Sequence, residues 1–133
     1  MTGMQLRIAR QTGRLAAVVA FYRDTLGLPE IDRFTGHAGY GGVMLDLPGT
    51  ATHLEFTTTA HSEPPEPHVE GLLVLYLDRT AVDRVLAREG IHPVPSANPY
   101  WDRVGVTITD PDGFRVVLVA AGWPDPLTAP DRV

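Results

Sequence analysis

The side chains that could do chemistry in this sequence belong to few types. The chain has no cysteine and no lysine, and its two serines, Ser62 and Ser96, lie outside any nucleophile-elbow motif. Thiol and Schiff-base nucleophiles, zinc ribbons, disulfides and a Walker-type phosphate lysine are therefore excluded. Any chemistry has to use His, Glu, Asp, Arg, Tyr or a bound ion.

His53 and Glu55, in the segment THLEFTTT, have a spacing that matters for such chemistry. Side chains alternate along a strand, so the imidazole and the carboxylate would lie on one face. Together they could ligate a divalent metal, and Glu55 could act as a general base. The alternative is that His53 is a partly exposed strand residue. Glu55 has the better claim to a function, because burying an unpartnered carboxylate is costly.

Composition limits the classes of partner. The chain has 133 residues, a net charge of −5 and scattered arginines, which argues against a surface that tracks nucleic-acid phosphates. The longest apolar run, residues 72–77, is too short to cross a bilayer, and the first ten residues lack the apolar core that a signal peptide needs. We therefore expect a cytoplasmic protein without membrane or nucleic-acid partners.

The elements that would position His53 and Glu55 follow from periodicity. Leu6–Ala9 alternates as a strand, and the following segment has a helical apolar face, with Thr12 as a possible cap and Gly27 as a stop. Three strands are predicted next, at EIDRFTGH, GVMLDL and THLEFTTT, with a glycine-rich hairpin between the first two.

The second half repeats this order. LLVLYLD reads as a strand, and TAVDRVLAREG reads as a helix capped by Thr80 with Asp83 and stopped by Gly90. Three strands are predicted after it, at HPVPS, VGVTIT and FRVVLVA. Gly27 and Gly90 are 63 residues apart, and the last strands, at Glu55 and Val117, are 62 apart.

That near-constant offset predicts an α+β fold built from two βαβββ modules that form a cupped mixed sheet. We predict a first module at 1–61, a proline-rich linker at 62–70, a second module at 71–121 and an irregular tail at 122–133, together one compact domain.

The segments FYRDTLGL, HLEF and DPDGFRVVL, with this doubled order, make the chain resemble the vicinal oxygen chelate superfamily, also called the glyoxalase, bleomycin-resistance and dioxygenase superfamily. The resemblance covers nearly the whole chain. It implies a cupped sheet whose first and fourth strands, in each half, carry ligands to a divalent metal that holds vicinal substrate oxygens. It also implies metal-free members that bind drugs or other small molecules.

Carried onto this sequence, the four metal-ligand positions fall on Arg7, Glu55, Gly71 or Leu72, and Val117. Glu55 alone can coordinate, because a protonated guanidinium has no lone pair. No cofactor is therefore expected, and an Arg7–Glu55 ion pair is predicted where the metal would bridge the strands. The alternative is a Zn, Ni, Mn or Fe site at His53 and Glu55, with His68 as a further candidate.

Strand parity and the resemblance also suggest a ligand-binding cavity. Tyr100 and Trp101, in a loop near its mouth, would stack on a planar or apolar ligand that Asn98 or the tyrosine hydroxyl orients, unless both rings pack at a sheet edge or dimer interface. His37 would gate the mouth or act as a base. The predicted ligand-binding residues are Arg7, His37, His53, Asn98, Tyr100, Trp101, Arg115 and Val117.

Two functions remain open at this stage. The first is a metal-independent binder of a small, partly apolar or planar molecule, of the bleomycin-resistance type. The second is a lyase, isomerase or dioxygenase-like enzyme that uses Glu55 as metal ligand or general base. The resemblance also implies a homodimer, which would cover open edge strands.

Overall fold

The computed structural model describes residues 3–122, so the predicted tail at 122–133 lies almost wholly outside the described residues. Two compact units divide the chain, Met1–Glu66 and Pro67–Val133, and the boundary falls within the predicted linker. The first unit has the predicted order of strand, helix and three strands, and the second unit follows it with one strand fewer, so that the α+β fold class is confirmed. Within the described residues, no helix has the length and apolar character needed to cross a membrane.

The first unit is a four-stranded sheet covered by one helical segment. Its strands lie in the order β1-β4-β3-β2, with β1 parallel to β4 and the other neighbours antiparallel. The elements are β1 (Leu6–Gln11), α1 (Leu15–Val19), a π-helical segment (Ala20–Thr25), β2 (Glu30–His37), β3 (Tyr40–Asp46) and β4 (Thr52–Thr59).

The π-helical segment explains how two consecutive aromatic residues enter the core. Leu26 N donates to Phe21 O at 3.0 Å, an i to i−5 bond that widens the helix by one residue. Phe21 and Tyr22 are both buried, and the Tyr22 ring stacks on Phe56 of β4 at 4.8 Å. Gly27, at φ +81°, ends the segment as predicted.

Thr12 is not the cap of α1. The residue that precedes the helix is Arg14, and no side chain caps it. The Thr12 hydroxyl instead accepts a hydrogen bond from Arg14 N at 2.9 Å, within the turn between β1 and α1. Thr12 is completely buried, so it serves the turn and the core rather than the helix end.

The second unit is a three-stranded sheet with two short helices. Its strands lie in the order β5-β7-β6, with β5 parallel to β7 and β6 antiparallel to it. The elements are β5 (Leu72–Tyr76), α2 (Arg79–Leu86), α3 (Pro99–Val104), β6 (Val106–Thr109) and β7 (Arg115–Val119).

Two predictions for this unit are wrong, and each has a physical reason. The predicted strand at residues 92–96 is only an isolated bridge between Val94 and Thr107, because the prolines on both sides of Val94 lack the N–H that a ladder needs. The predicted loop around Tyr100 contains helix α3. Asn98 caps that helix, and Pro99 occupies its first position.

The cap of α2 also differs from the prediction. Asp78, not Thr80, precedes the helix, and its Oδ1 accepts a hydrogen bond from Ala81 N at 2.8 Å. The helix ends at Leu86, before the predicted stop at Gly90. The DPDG turn is organised by buried Asp110, whose Oδ1 accepts hydrogen bonds from Asp112 N and Phe114 N.

Candidate functional site

The register of the first sheet brings Arg7, His53 and Glu55 together. β1 runs parallel to β4, with Arg7 opposite His53 and Ala9 opposite Glu55. Paired residues project to the same side of a sheet, so the three side chains share one face. We call it the Arg7 face. The opposite face carries the buried apolar residues of β3 and β4, Val43, Leu45, Leu54 and Phe56.

Arg7 contacts both potential functional groups at once. Its Nε donates a hydrogen bond to His53 Nε2 at 3.0 Å, and its Nη1 lies 3.8 Å from Glu55 Oε1. The predicted Arg7–Glu55 ion pair is therefore present. Because His53 Nε2 accepts a hydrogen bond, the neutral ring carries its proton on Nδ1. The Glu55 side chain is only 13% exposed, whereas that of Arg7 is 49% exposed.

These contacts do not fit a divalent metal. The Nε2 lone pair of His53 and one Glu55 oxygen both face a guanidinium that stays protonated. In residues 3–122, no group of three or more His, Asp or Glu side chains is placed to hold a metal ion. His68 is exposed, and its Nδ1 accepts a hydrogen bond from Glu70 N within a local turn. A metal at His53 and Glu55 would first have to displace Arg7.

The strand register places further residues on the Arg7 face, and those on β2 and β3 were missed from sequence. Asp46 lies opposite His53, while Met44 and Asp32 lie in the row that contains Glu55. The next row contains Gln11, Thr57, Gly42 and Phe34.

Phe34 covers Gly42 on this face. A Cβ on Gly42 would lie 2.6 Å from the Phe34 ring, so the ring occupies the space that a side chain would need. Phe34 is half-buried and faces His37 edge-on, with ring centroids 6.3 Å apart. The face thus combines a charged end at Arg7 and Glu55 with an aromatic end at Phe34.

Gln11 has an unsatisfied acceptor. Its Nε2 donates to the carbonyl oxygen of Glu63, which orients the side-chain amide. Its Oε1 is buried and accepts no hydrogen bond within the part of the chain that the structure describes. Such an acceptor typically costs about 1–3 kcal/mol when left unpaired. Side chains alternate along β1, so the sequence already placed Gln11 on the same face as Arg7 and Ala9.

His37 is not brought to Glu55. It pairs with Tyr40 at the end of the β2–β3 hairpin, whereas Glu55 pairs with Met44, four residues further along β3. Four residues of strand span about 13 Å, and His37 is exposed.

The remaining predicted residues belong to the second unit. Asn98 Oδ1 accepts from Tyr100 N as the cap of α3, and the half-buried Tyr100 and Trp101 rings pack edge-to-face at 5.0 Å. Arg115 Nη1 donates to Pro95 O at 2.8 Å. Val117 is fully buried in β7 between its strand partners Val74 and Thr107, the position of a core residue.

Comparison with protein families matches both units. Residues 6–57 match the YycE-like N-terminal domain, and residues 70–120 match the YycE-like C-terminal domain. A curated relative, the uncharacterized protein YycE of Bacillus subtilis (strain 168), is 45% identical over 120 residues, covering 86% of each chain. The chain belongs to the YycE-like family.

Solved structures place this YycE-like chain in the vicinal oxygen chelate superfamily, which confirms the resemblance found in the sequence. The crystal structure of a YycE protein of unknown function from Bacillus subtilis matches with a TM-score of 0.80 at 41% identity, over 89% of this chain and 90% of that one.

More distant structures share the YycE-like fold alone. Trypanothione-dependent glyoxalase I of Leishmania major matches with a TM-score of 0.68 at 18% identity, over 89% of this chain and 86% of that one. TnmS3, an antibiotic binding protein from Streptomyces sp. CB03234, matches with a TM-score of 0.62 at 22% identity, over 90% of this chain and 95% of that one.

Proposed function

We propose that this YycE-like protein binds a small, partly planar or apolar molecule on the Arg7 face and does so without a divalent metal. The contact of the Arg7 guanidinium with His53 Nε2 and Glu55 Oε1 carries the proposal. The positive charge of Arg7 lies beside the His53 nitrogen and the Glu55 carboxylate and repels a divalent cation from them. The polar groups of these side chains can instead contact a small-molecule ligand.

The composition of the face favours a ligand with two different ends. Arg7 offers N–H donors, while Glu55 offers carboxylate acceptors. Met44 and the Phe34 ring supply apolar surface in the neighbouring rows of the sheet. A polar group would therefore bind toward β1, and a ring or alkyl part would pack toward β2.

Metal content is the first test. Protein purified without a tag or chelator should contain no stoichiometric metal, and calorimetric titration with Zn²⁺, Ni²⁺, Mn²⁺ and Fe²⁺ should give no one-to-one binding. Tight binding would make His53 and Glu55 the ligands and would overturn the metal-free proposal.

A ligand screen is the second test. Planar amides and phenols, which carry no carboxylate, would be screened by the shift in melting temperature, and hits would be repeated with Arg7→Met and Phe34→Ala. Both variants should lose the hits, while Arg84→Met, an exposed arginine of the second unit, should keep them. Hits that survive both substitutions would place the binding site elsewhere.

The same ligands distinguish a binder from an enzyme. If Glu55→Gln retains affinity but abolishes turnover of a bound compound, Glu55 acts as a general base. If no compound is turned over, the binder is supported. Stacking by Tyr100 and Trp101 stays a prediction that Trp101→Ala tests, and the predicted homodimer is checked by light scattering coupled to gel filtration.

A further inference from the structure

The second unit contains a small cavity that the proposed function does not use. It lies between helices α2 and α3 and the adjacent edge of β6 and β7, with a volume of about 190 Å³. At roughly 30 Å³ per water molecule, this space corresponds to about six waters. Apolar residues line most of it, and two arginines, Arg79 and Arg103, line it as well.

The two arginines are available to an added anion. Arg79 Nη1 lies 3.9 Å from Asp83 Oδ1, with side-chain exposures of 73% and 64%, so this pair is solvated and contributes little. Among residues 3–122, no carboxylate lies within salt-bridge distance of Arg103. Guanidinium groups bind carboxylates through paired, charge-assisted hydrogen bonds, and these are stronger where one side is shielded from water.

The wall beside the arginines is held in place by a close backbone contact. Gly105 follows α3 in an extended conformation, and a Cβ there would lie 2.5 Å from the Leu118 carbonyl oxygen. The end of α3 therefore lies directly against β7. Val82 and Leu118 are almost completely buried, whereas Val104, Val106 and Ala120 are only partly buried and provide the apolar surface that a ligand can contact.

We propose that this cavity binds a small amphipathic carboxylate. The carboxylate contacts Arg79 and Arg103, and a short alkyl or aromatic part packs on Val104, Val106 and Ala120. A neutral molecule is disfavoured here, because it would shield the two guanidinium groups from water without pairing their charge. This site lies within the second unit and does not depend on the Arg7 face.

Benzoate is a suitable probe for the full-length protein, because it combines one carboxylate with one ring. In a ¹H–¹⁵N NMR titration, benzoate should produce saturable shifts at the amides of Gly105, Val106 and the first turn of α2. Arg103→Gln and Arg79→Gln should each weaken binding by about tenfold. Arg84→Gln removes an exposed arginine of α2 that does not line the cavity, and it should leave affinity unchanged.

Two further probes test the ligand class. Benzyl alcohol, which lacks the charge, should not saturate these amides, and inorganic phosphate, which lacks the ring, should bind more weakly than benzoate. The proposal is overturned if benzoate shifts do not saturate, if they persist in Arg103→Gln, or if phosphate binds as tightly. Arg7→Met should leave benzoate binding intact, which separates this site from the proposed function.

Discussion

Arg7 on β1 and His53 on β4 are joined by a hydrogen bond across a parallel strand pair, with Arg7 Nε 3.0 Å from His53 Nε2. The same guanidinium reaches Glu55, two residues further along β4. In the superfamily that the chain resembles, a metal bridges the first and fourth strands, whereas here an organic cation makes that connection. The guanidinium belongs to the Arg7 side chain on β1, so the connection between the strands needs no ion from solution.

Arg7→His should convert this cluster into a metal site. The substitution removes the fixed positive charge and adds a third lone-pair donor beside His53 and Glu55. We expect one-to-one binding of Zn²⁺ or Ni²⁺ by calorimetry, where the unmodified protein is expected to bind neither ion. Arg10→His is the matched control, because Arg10 lies on the same strand but projects to the other face, over the Phe56 ring at 4.9 Å. Equal binding by both variants would contradict the role assigned to Arg7.

Gln11→Met should be neutral or stabilising by up to about 1 kcal/mol. The substitution removes a buried acceptor that has no partner in the described residues, and the Glu63 carbonyl that loses its donor belongs to an exposed residue. Urea unfolding measures the change, with the exposed Gln5→Met as control. A loss above about 1 kcal/mol would mean that Oε1 has a stabilising partner, such as an ordered water.

Gly105→Ala should destabilise the protein by about 1–3 kcal/mol, because the added methyl meets backbone rather than a movable side chain. Gly13→Ala is the control, since a Cβ at Gly13 meets nothing within 4 Å. Urea midpoints of the two variants are compared at constant m-value. Equal midpoints would show that α3 can move away from β7 without cost.

Ala38→Asn should stabilise the β2–β3 hairpin. Ala38, at φ +53°, is the one residue besides glycine with a left-handed backbone among those described, and Gly39 follows at φ +84°. Asn-Gly is the preferred sequence for such a turn, so we expect a gain of about 0.5–1 kcal/mol in thermal or urea unfolding. Ala51→Asn, outside this turn, should give no gain.

Glu30 should make stability depend on pH in the acid range. Its Oε2 accepts from Arg33 Nε, and its Oε1 accepts from Arg33 Nη2 and Arg23 Nη1, all at 2.9–3.0 Å. The hydrogen bonds from Arg33 are the main cause that lowers the pKa of Glu30 below its ordinary value, with Arg23 contributing less.

Because that pKa is lower in the folded state, the stabilisation is present above the unfolded-state pKa of about 4.3 and is lost as pH falls through the folded value. Glu30→Gln should therefore be less stable at pH 7, and the two proteins should converge in strong acid. The measurement is urea unfolding from pH 7 to pH 2, at low and high salt. If the free energies of unfolding of the two proteins differ by the same amount at every pH, titration of the Glu30 carboxylate does not explain the effect. Glu89→Gln, at an exposed residue, is the control.

Much of the first unit was predictable from sequence because its signals are local. Strand alternation predicted β2 and β4 at their observed bounds, Glu30–His37 and Thr52–Thr59. The assignment failed where local signals compete. Thr12 can cap a helix or close a turn, and it does the latter. The stretch around Val94 has strand-forming residues but also two prolines, and the missing N–H groups prevailed.

Composition, periodicity and spacing by themselves determined the α+β class, the absence of thiol and lysine chemistry, and the presence of His53 and Glu55 on one face of a strand. These properties depend on residues close in the chain. Only the tertiary structure decided that Arg7 binds both groups, that Phe34 and Gln11 share their face, and that Arg79 and Arg103 line one cavity. Those relationships join residues far apart in sequence, and the register of strand pairing and the packing of helices set them.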